Sequence, residues 1–123
     1  KTEELPIAEA LVGKAWYSYR GARKHTPQEV GKLPANGFGL HDMLGNVWEW
    51  TRDSYLASGY SKHKLYQPVV EDASAPQRVI RGGSWTFDAN SARCALRFTH
   101  APIDRGFSLG FRVVGEPTEE RQR

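Results

Sequence analysis

A chain of 123 residues is long enough for one domain with one core, and 39% hydrophobic with 25% charged residues makes it globular rather than disordered. Its formal net charge of +3, from 17 Lys+Arg against 14 Asp+Glu, is spread along the chain without a polybasic block, so neither nucleic acid nor an acidic membrane surface is the expected partner. No apolar run approaches the roughly 18 residues of a membrane span, and the single cysteine, Cys94, excludes a disulfide framework and a multi-cysteine zinc site within this chain. With no signal-peptide pattern at Lys1, the lone thiol favours the cytoplasm.

In chain order, "PIAEALVGKAWYSY" is the one stretch that can begin a helix, and Gly13 limits it. Turn signals then punctuate the chain: "PANGFG", "LGN", "ASGY", "DASAPQ", "RGGS" and "APIDRG". Between them "VWEWTRDSY", "RVIRGG", "RCALRF" and "GFRVVG" read as short strands. The loops carry Trp16, Tyr17, Tyr19, Phe38, Tyr55, Tyr60 and Tyr66, expected to pack as satellite clusters. Residues 115–123 read as a polar tail.

Three stretches carry candidate chemistry. In "HDMLGNVWEW", Asp42 and Glu49 flank a Gly45-Asn46 turn. Two carboxylates plus turn carbonyls suit a hard cation such as calcium, which takes six to eight oxygens. Spacing alone favours a structural acid, hydrogen-bonded to backbone or paired with an arginine, with Trp48 and Trp50 on opposite faces of a strand. In "RVIRGGSW", Gly82-Gly83 lacks the Lys-Ser/Thr ending of a phosphate loop and reads as a bulge that lets Trp85 pack inward. In "ARCALRFTHAPIDRGFSLGFRVV", strand alternation puts Arg93, Ala95 and Arg97 on one face and Cys94 on the other, as a buried, inert thiol. Arg93, Arg97, Arg105 and Arg112 need carbonyl or acidic partners, with Asp42, Glu49 and Asp53 available. His41, beside Asp42, reads as a turn residue.

The order and spacing of "NGFGLHDMLGNVWEW", "RVIRGGSW", "RCALR" and "LGFRVV" resemble the sulfatase-modifying-factor family, that of the formylglycine-generating enzymes and their relatives. The resemblance runs from Ala15 to Val114. It implies an α+β, C-type-lectin-like fold with short strands, much irregular loop and little helix, of which residues 1–114 resemble the C-terminal part. The family's upstream segment lies on another chain, was cut away or is dispensed with in a shortened version, so the resemblance implies either a second chain carrying the N-terminal half as partner or a compensated fold. The resemblance also implies a calcium site made of Asp42, the carbonyls of Gly45 and Val47, and the carboxylate of Glu49. The oxidase members hold copper(I) with two cysteines placed shortly after the Gly-Gly-Ser-aromatic motif. This chain has Phe87 at the first of those positions and Ala92 near the second, and Cys94 aligns with neither. Copper is therefore not expected.

The leading functional expectation is a non-catalytic module that binds a protein or small-molecule ligand. Its surface would be Trp85, Phe87, Asp88, Asn90, Arg97, Phe98, His100, Ile103 and Phe107. A special case is the variable protein of a diversity-generating retroelement, a class that resembles this family and diversifies this stretch. The enzymatic alternative is a part of a formylglycine-generating or iron-dependent sulfoxide-synthase enzyme whose catalytic residues lie elsewhere. The third expectation is a structural or regulatory appendage, as where such domains are fused to kinases or proteases.

Overall fold

The computed structural model describes residues 4–18, 26–57 and 69–115. Tyr19, Tyr60, Tyr66 and nearly all of the polar tail lie outside them. Helix α1 is Glu4–Leu11. Pro6 sits in its first turn, where a missing N–H leaves no intrahelical bond unmade. Strands β1 (Trp48–Ser54), β2 (Arg78–Arg81), β3 (Phe98–His100) and β4 (Leu109–Gly110) form one sheet in the order β3-β2-β1-β4. Strand β2 runs antiparallel to both neighbours, whereas β1 and β4 are parallel. The result is an α+β fold with little helix, as expected.

Packing explains these elements. Val79 and Ile80 of β2 are both fully buried, because this central strand is covered on its two faces. Beside the sheet, Ala8 and Leu11 of α1 pack on Ala15, Ala89 and Ala92. The last two belong to a short 3-10 helix, Ala89–Ala92. Small side chains at this contact let the two helices approach closely, and Tyr17 closes it by donating from Oη to Ala8 O at 2.8 Å.

The Gly45-Asn46 turn joins the parts. Gly45 N donates to Gly82 O at 2.7 Å, Asn46 N to Trp16 O at 2.7 Å, and Trp85 N to Asn46 O at 2.8 Å. The Asn46 side chain, 4% exposed, accepts from Gln28 N at 2.9 Å and donates to Gln28 O at 3.1 Å. Both residues have positive φ, 81° and 63°. Asparagine tolerates that region, and glycine is required at position 45, where a Cβ would lie 2.2 Å from Trp16 O. Gly83 is constrained in the same way, since its Cβ would meet Ser91 O at 2.8 Å. The Gly-Gly pair is thus a close approach to the 3-10 helix.

Several strand expectations are corrected. Trp48 and Trp50 share one face of β1, because side chains two residues apart point the same way; Glu49 alone points to the other. "RCALRF" is not a strand. Asp88 caps the 3-10 helix, a turn closes from Leu96 N to Arg93 O at 3.0 Å, and pairing begins only at Phe98. Arg93, Ala95 and Arg97 therefore share no strand face, and Cys94 is exposed rather than buried. Of "GFRVVG" only Gly110 is paired, as the last residue of β4, and the chain then leaves the ladder where Arg112 turns towards Glu49. Phe38, expected in a satellite cluster, is 89% exposed.

Two measurements check this account. Gly45→Ala is expected to cost more than about 3 kcal/mol in urea unfolding, combining steric overlap with strain. Gly31→Ala, at φ 73° but with nothing within 4 Å of the new Cβ, is expected to cost about 1 kcal/mol. Cys94 is expected to react stoichiometrically with a thiol reagent in the native state, at a rate unchanged by denaturant below the unfolding transition.

Candidate functional site

Two places gather the residues singled out by sequence. The first is a cleft of about 450 Å³ beside the Gly45-Asn46 turn, lined by His41, Asp42, Val47, Glu49, Phe111 and Arg112 among others. Glu49 reaches it because the alternation of β1 sends this side chain away from Trp48 and Trp50. Arg112 grips Glu49 with a two-pronged contact, Nε to Oε2 at 3.0 Å and Nη2 to Oε1 at 2.8 Å. Nη2 also donates to His41 O at 2.9 Å. Hydrogen bonding to Glu49 and the nearby charges of Glu49 and Asp42 outweigh burial and raise the guanidinium pKa above its ordinary value. His41 is held by its Nδ1, 2.8 Å from Leu33 O. Leu33 O can only accept, so Nδ1 carries the proton, and His41 is the turn residue expected.

Asp42 has an αL backbone, φ 54°, and its Oδ2 accepts from Gly31 N at 2.7 Å. Its Oδ1 is buried without a hydrogen-bond partner among the described residues. The four residues expected to hold calcium thus meet in one region: Asp42, Val47 and Glu49 line the cleft, and Gly45 belongs to the turn beside it. They fit the ion in part. Asp42 offers an unengaged oxygen, while both oxygens of Glu49 are taken by Arg112. No group of three or more His, Cys, Asp and Glu side chains is arranged for a metal among the described residues. The expected arginine–carboxylate lattice takes the form of this Arg112–Glu49 pair. Arg93 instead donates from Nε to Asn90 O at 2.9 Å, and Arg97 lies over the Tyr55 ring at 5.7 Å.

The second place is an aromatic face. Phe98 stacks on Trp48 at 5.7 Å with 23° between the planes, and Phe87 meets Trp48 edge-on at 5.5 Å. His100 extends the row, 6.2 Å from Phe98 and 6.4 Å from Trp50. The sheet register creates this row: Trp50, Ile80 and Phe98 pair across β1, β2 and β3, so their side chains share a face. Trp48 is 2% exposed, but Phe87 and Phe98 remain 38% and 44% exposed. Beside the row, Trp85 is half-buried against Phe107 at 5.8 Å, while Phe107 itself is 74% exposed.

Of the expected ligand residues, Phe87, Phe98 and His100 come together, and Trp85 pairs with Phe107. Ile103 stands exposed on the turn after β3. Asp88 has a structural task, since its Oδ1 accepts from Ser91 N and Oγ at 3.1 Å each. His100 Nδ1 lies 2.9 Å from Asp104 Oδ2, and that hydrogen bond holds the Asp104 carboxyl below the usual carboxylate range. Sequence reasoning missed Trp48 and Trp50 as members of the aromatic row. The two-residue period contained the signal for their shared face, but not for which rings would cover it.

The family model described as "Sulfatase-modifying factor enzyme 1-like domain" matches residues 4–117, and the chain belongs to this family. Serine/threonine-protein kinase pkn1 of Chlamydia caviae is 40% identical over 92 residues, covering 69% of this chain and 14% of that protein. Inactive C-alpha-formylglycine-generating enzyme 2 of Mus musculus is 37% identical over 95 residues, covering 71% of this chain and 26% of that protein. Among solved structures, Treponema denticola variable protein 1 superposes with a TM-score of 0.68 at 36% identity, covering 84% of this chain and 36% of that one. The chain therefore spans only 14% to 36% of the length of these proteins. Its scaffold is that of the formylglycine-generating-enzyme-like proteins.

Glu49→Ala is expected to lower stability by about 2 kcal/mol, because it leaves a half-buried guanidinium with one carbonyl partner. Arg112→Ala is expected to cost a similar amount, and a double-mutant cycle in urea should return a coupling above about 1 kcal/mol.

Proposed function

We propose that the chain serves as a non-catalytic recognition module that contacts a protein or small-molecule ligand through its aromatic face. The observation that carries this reading is Phe87. It occupies the position where the resemblance places the first catalytic cysteine, and its ring instead packs edge-on against Trp48 and stays partly exposed. Near the second position, Ala92 is 2% exposed and belongs to the core beside α1. The residues that would carry copper chemistry have become contact surface and packing. The similarity to an inactive relative and to a variable protein supports the same reading.

The module would recognise its ligand through Phe87 and Phe98, flanked by His100, Trp85 and Phe107. Rings of this kind supply large contact area for few rotatable bonds. Ile103 and Phe107, 86% and 74% exposed, contribute little to the fold and much to a contact. The loops bearing them suit diversification, so the retroelement reading is retained as a special case. Its test is genomic: a near-copy template repeat and a reverse transcriptase beside the gene.

Calcium is the cofactor proposed for the cleft. The buried, unpartnered Oδ1 of Asp42 supports it, and binding would exchange the ion for Arg112 at Glu49. A rise in melting temperature on adding calcium, reversed by chelator and lost in Glu49→Ala, is the expected result; melting indifferent to both removes the ion from the proposal.

Two further outcomes test the module. With copper supplied, the chain is expected to give no oxidation of a sulfatase-type cysteine peptide, and measurable turnover would overturn the non-catalytic reading. The double variant Ile103→Ser/Phe107→Ser is expected to change stability by less than about 1 kcal/mol. A larger loss would mean that these side chains serve the fold rather than a ligand.

A further inference from the structure

We propose that a second site, at the end of β1 and β2 farthest from the Gly45-Asn46 turn, binds an oxyanion carried on a flat apolar body. The site is an open cleft of about 410 Å³ lined by Trp50, Thr51, Arg52, Glu71, Arg78 and Pro102. Its volume falls within the range of small-molecule sites. It is separate from the Arg112–Glu49 cleft, with which it shares no lining residue.

Arg78 is the anchor. Its Nη1 donates to Arg52 O and to Ser54 Oγ, both at 3.1 Å. Ser54 is 1% exposed, and its Oγ is itself fixed, donating to Asp72 O at 3.0 Å and accepting from Asp72 N at 2.8 Å. One nitrogen of the guanidinium is thus pinned to the buried framework, which removes much of the entropy that an arginine otherwise loses on binding. The Nε and Nη2 edge of Arg78 makes no hydrogen bond among the described residues. That same edge of Arg112 is the one that grips the Glu49 carboxylate in this protein. A fork held in place, with its carboxylate-matching edge unfilled, suits two coplanar oxygens.

The rest of the cleft selects what the anion is attached to. Trp50 supplies an aromatic wall, and His100 meets its ring edge-on at 6.4 Å with 72° between the planes. Pro102 adds apolar surface on the turn after β3. Arg52 is tied to Glu71, Nε to Oε1 at 3.2 Å, so the described lining of the cleft holds two guanidinium groups and one carboxylate. The net charge favours an anion, and Glu71 keeps that attraction modest. A carboxylate and a phosphate share the required chemistry; a planar ring beside either would lie on Trp50.

The test is titration of the full chain with benzoate and, separately, phenyl phosphate at low salt, following the Arg78 Nε and Trp50 indole resonances by NMR. Saturable shifts of both signals with either probe are expected, and the tighter probe identifies the anion. Arg78→Lys keeps the charge but loses the fork, and is expected to weaken binding about tenfold. Because that variant also loosens the Ser54 contact, Glu71→Gln provides a check that leaves Arg78 untouched. Removing the opposing carboxylate is expected to tighten binding about threefold. Absence of saturable shifts with both probes, or a Glu71→Gln chain that binds no more tightly than the parent, would overturn the proposal.

Discussion

The Gly45-Asn46 turn is the crossing on which the structure depends. Its backbone and one side chain bond to Trp16, Gln28, Gly82 and Trp85, four points scattered along the chain. No regular element spans these points. Where the described residues form one short α-helix, one 3-10 turn and strands of two to seven residues, irregular segments must be held by such polar crossings, since buried backbone groups cannot go unpaired. Steric closeness at Gly45 and left-handed backbone at Asn46 explain why this stretch identifies the fold so well. It specifies where other segments must come.

The turn also sorts the side chains of the strand it opens. Directly after Asn46 the chain enters β1, and alternation sends Trp48 and Trp50 to the aromatic face and Glu49 to the opposite cleft. Two neighbouring surfaces of different chemistry arise from one short run. The aromatic face is apolar and partly open. The cleft is charged, and Arg112 already answers its carboxylate. Alternation therefore keeps the partly exposed rings and the Arg112–Glu49 pair on separate sides of one strand.

At and near the two positions where the resemblance places a cysteine pair, the scaffold carries Phe87 and Ala92. A phenylalanine at position 87 gains contact with Trp48 and Phe98, and an alanine at position 92 fits the tight approach between the 3-10 helix and α1. The sheet and its central turn are held by other residues, Gly83, Asn46 and the buried Val79–Ile80 pair. This separation of framework from surface is what lets one scaffold carry different tasks.

The sequence by itself determined the family, the α+β class with little helix, and the positions of α1, β1 and β2. These are legible because turn residues, two-residue alternation and residue identity act over short spans. It misjudged the stretch from Arg93 to Phe98 and the length of the last strand. There, the Asp88 cap and the pull of Arg112 towards Glu49 override local strand propensity. Only the tertiary structure decided which arginine meets which carboxylate, which rings cover Trp48, and that Arg78 is pinned through Nη1 to Arg52 O and Ser54 Oγ. Such pairings join residues up to 63 positions apart. They are set by the path of the folded backbone, and no local pattern encodes that path.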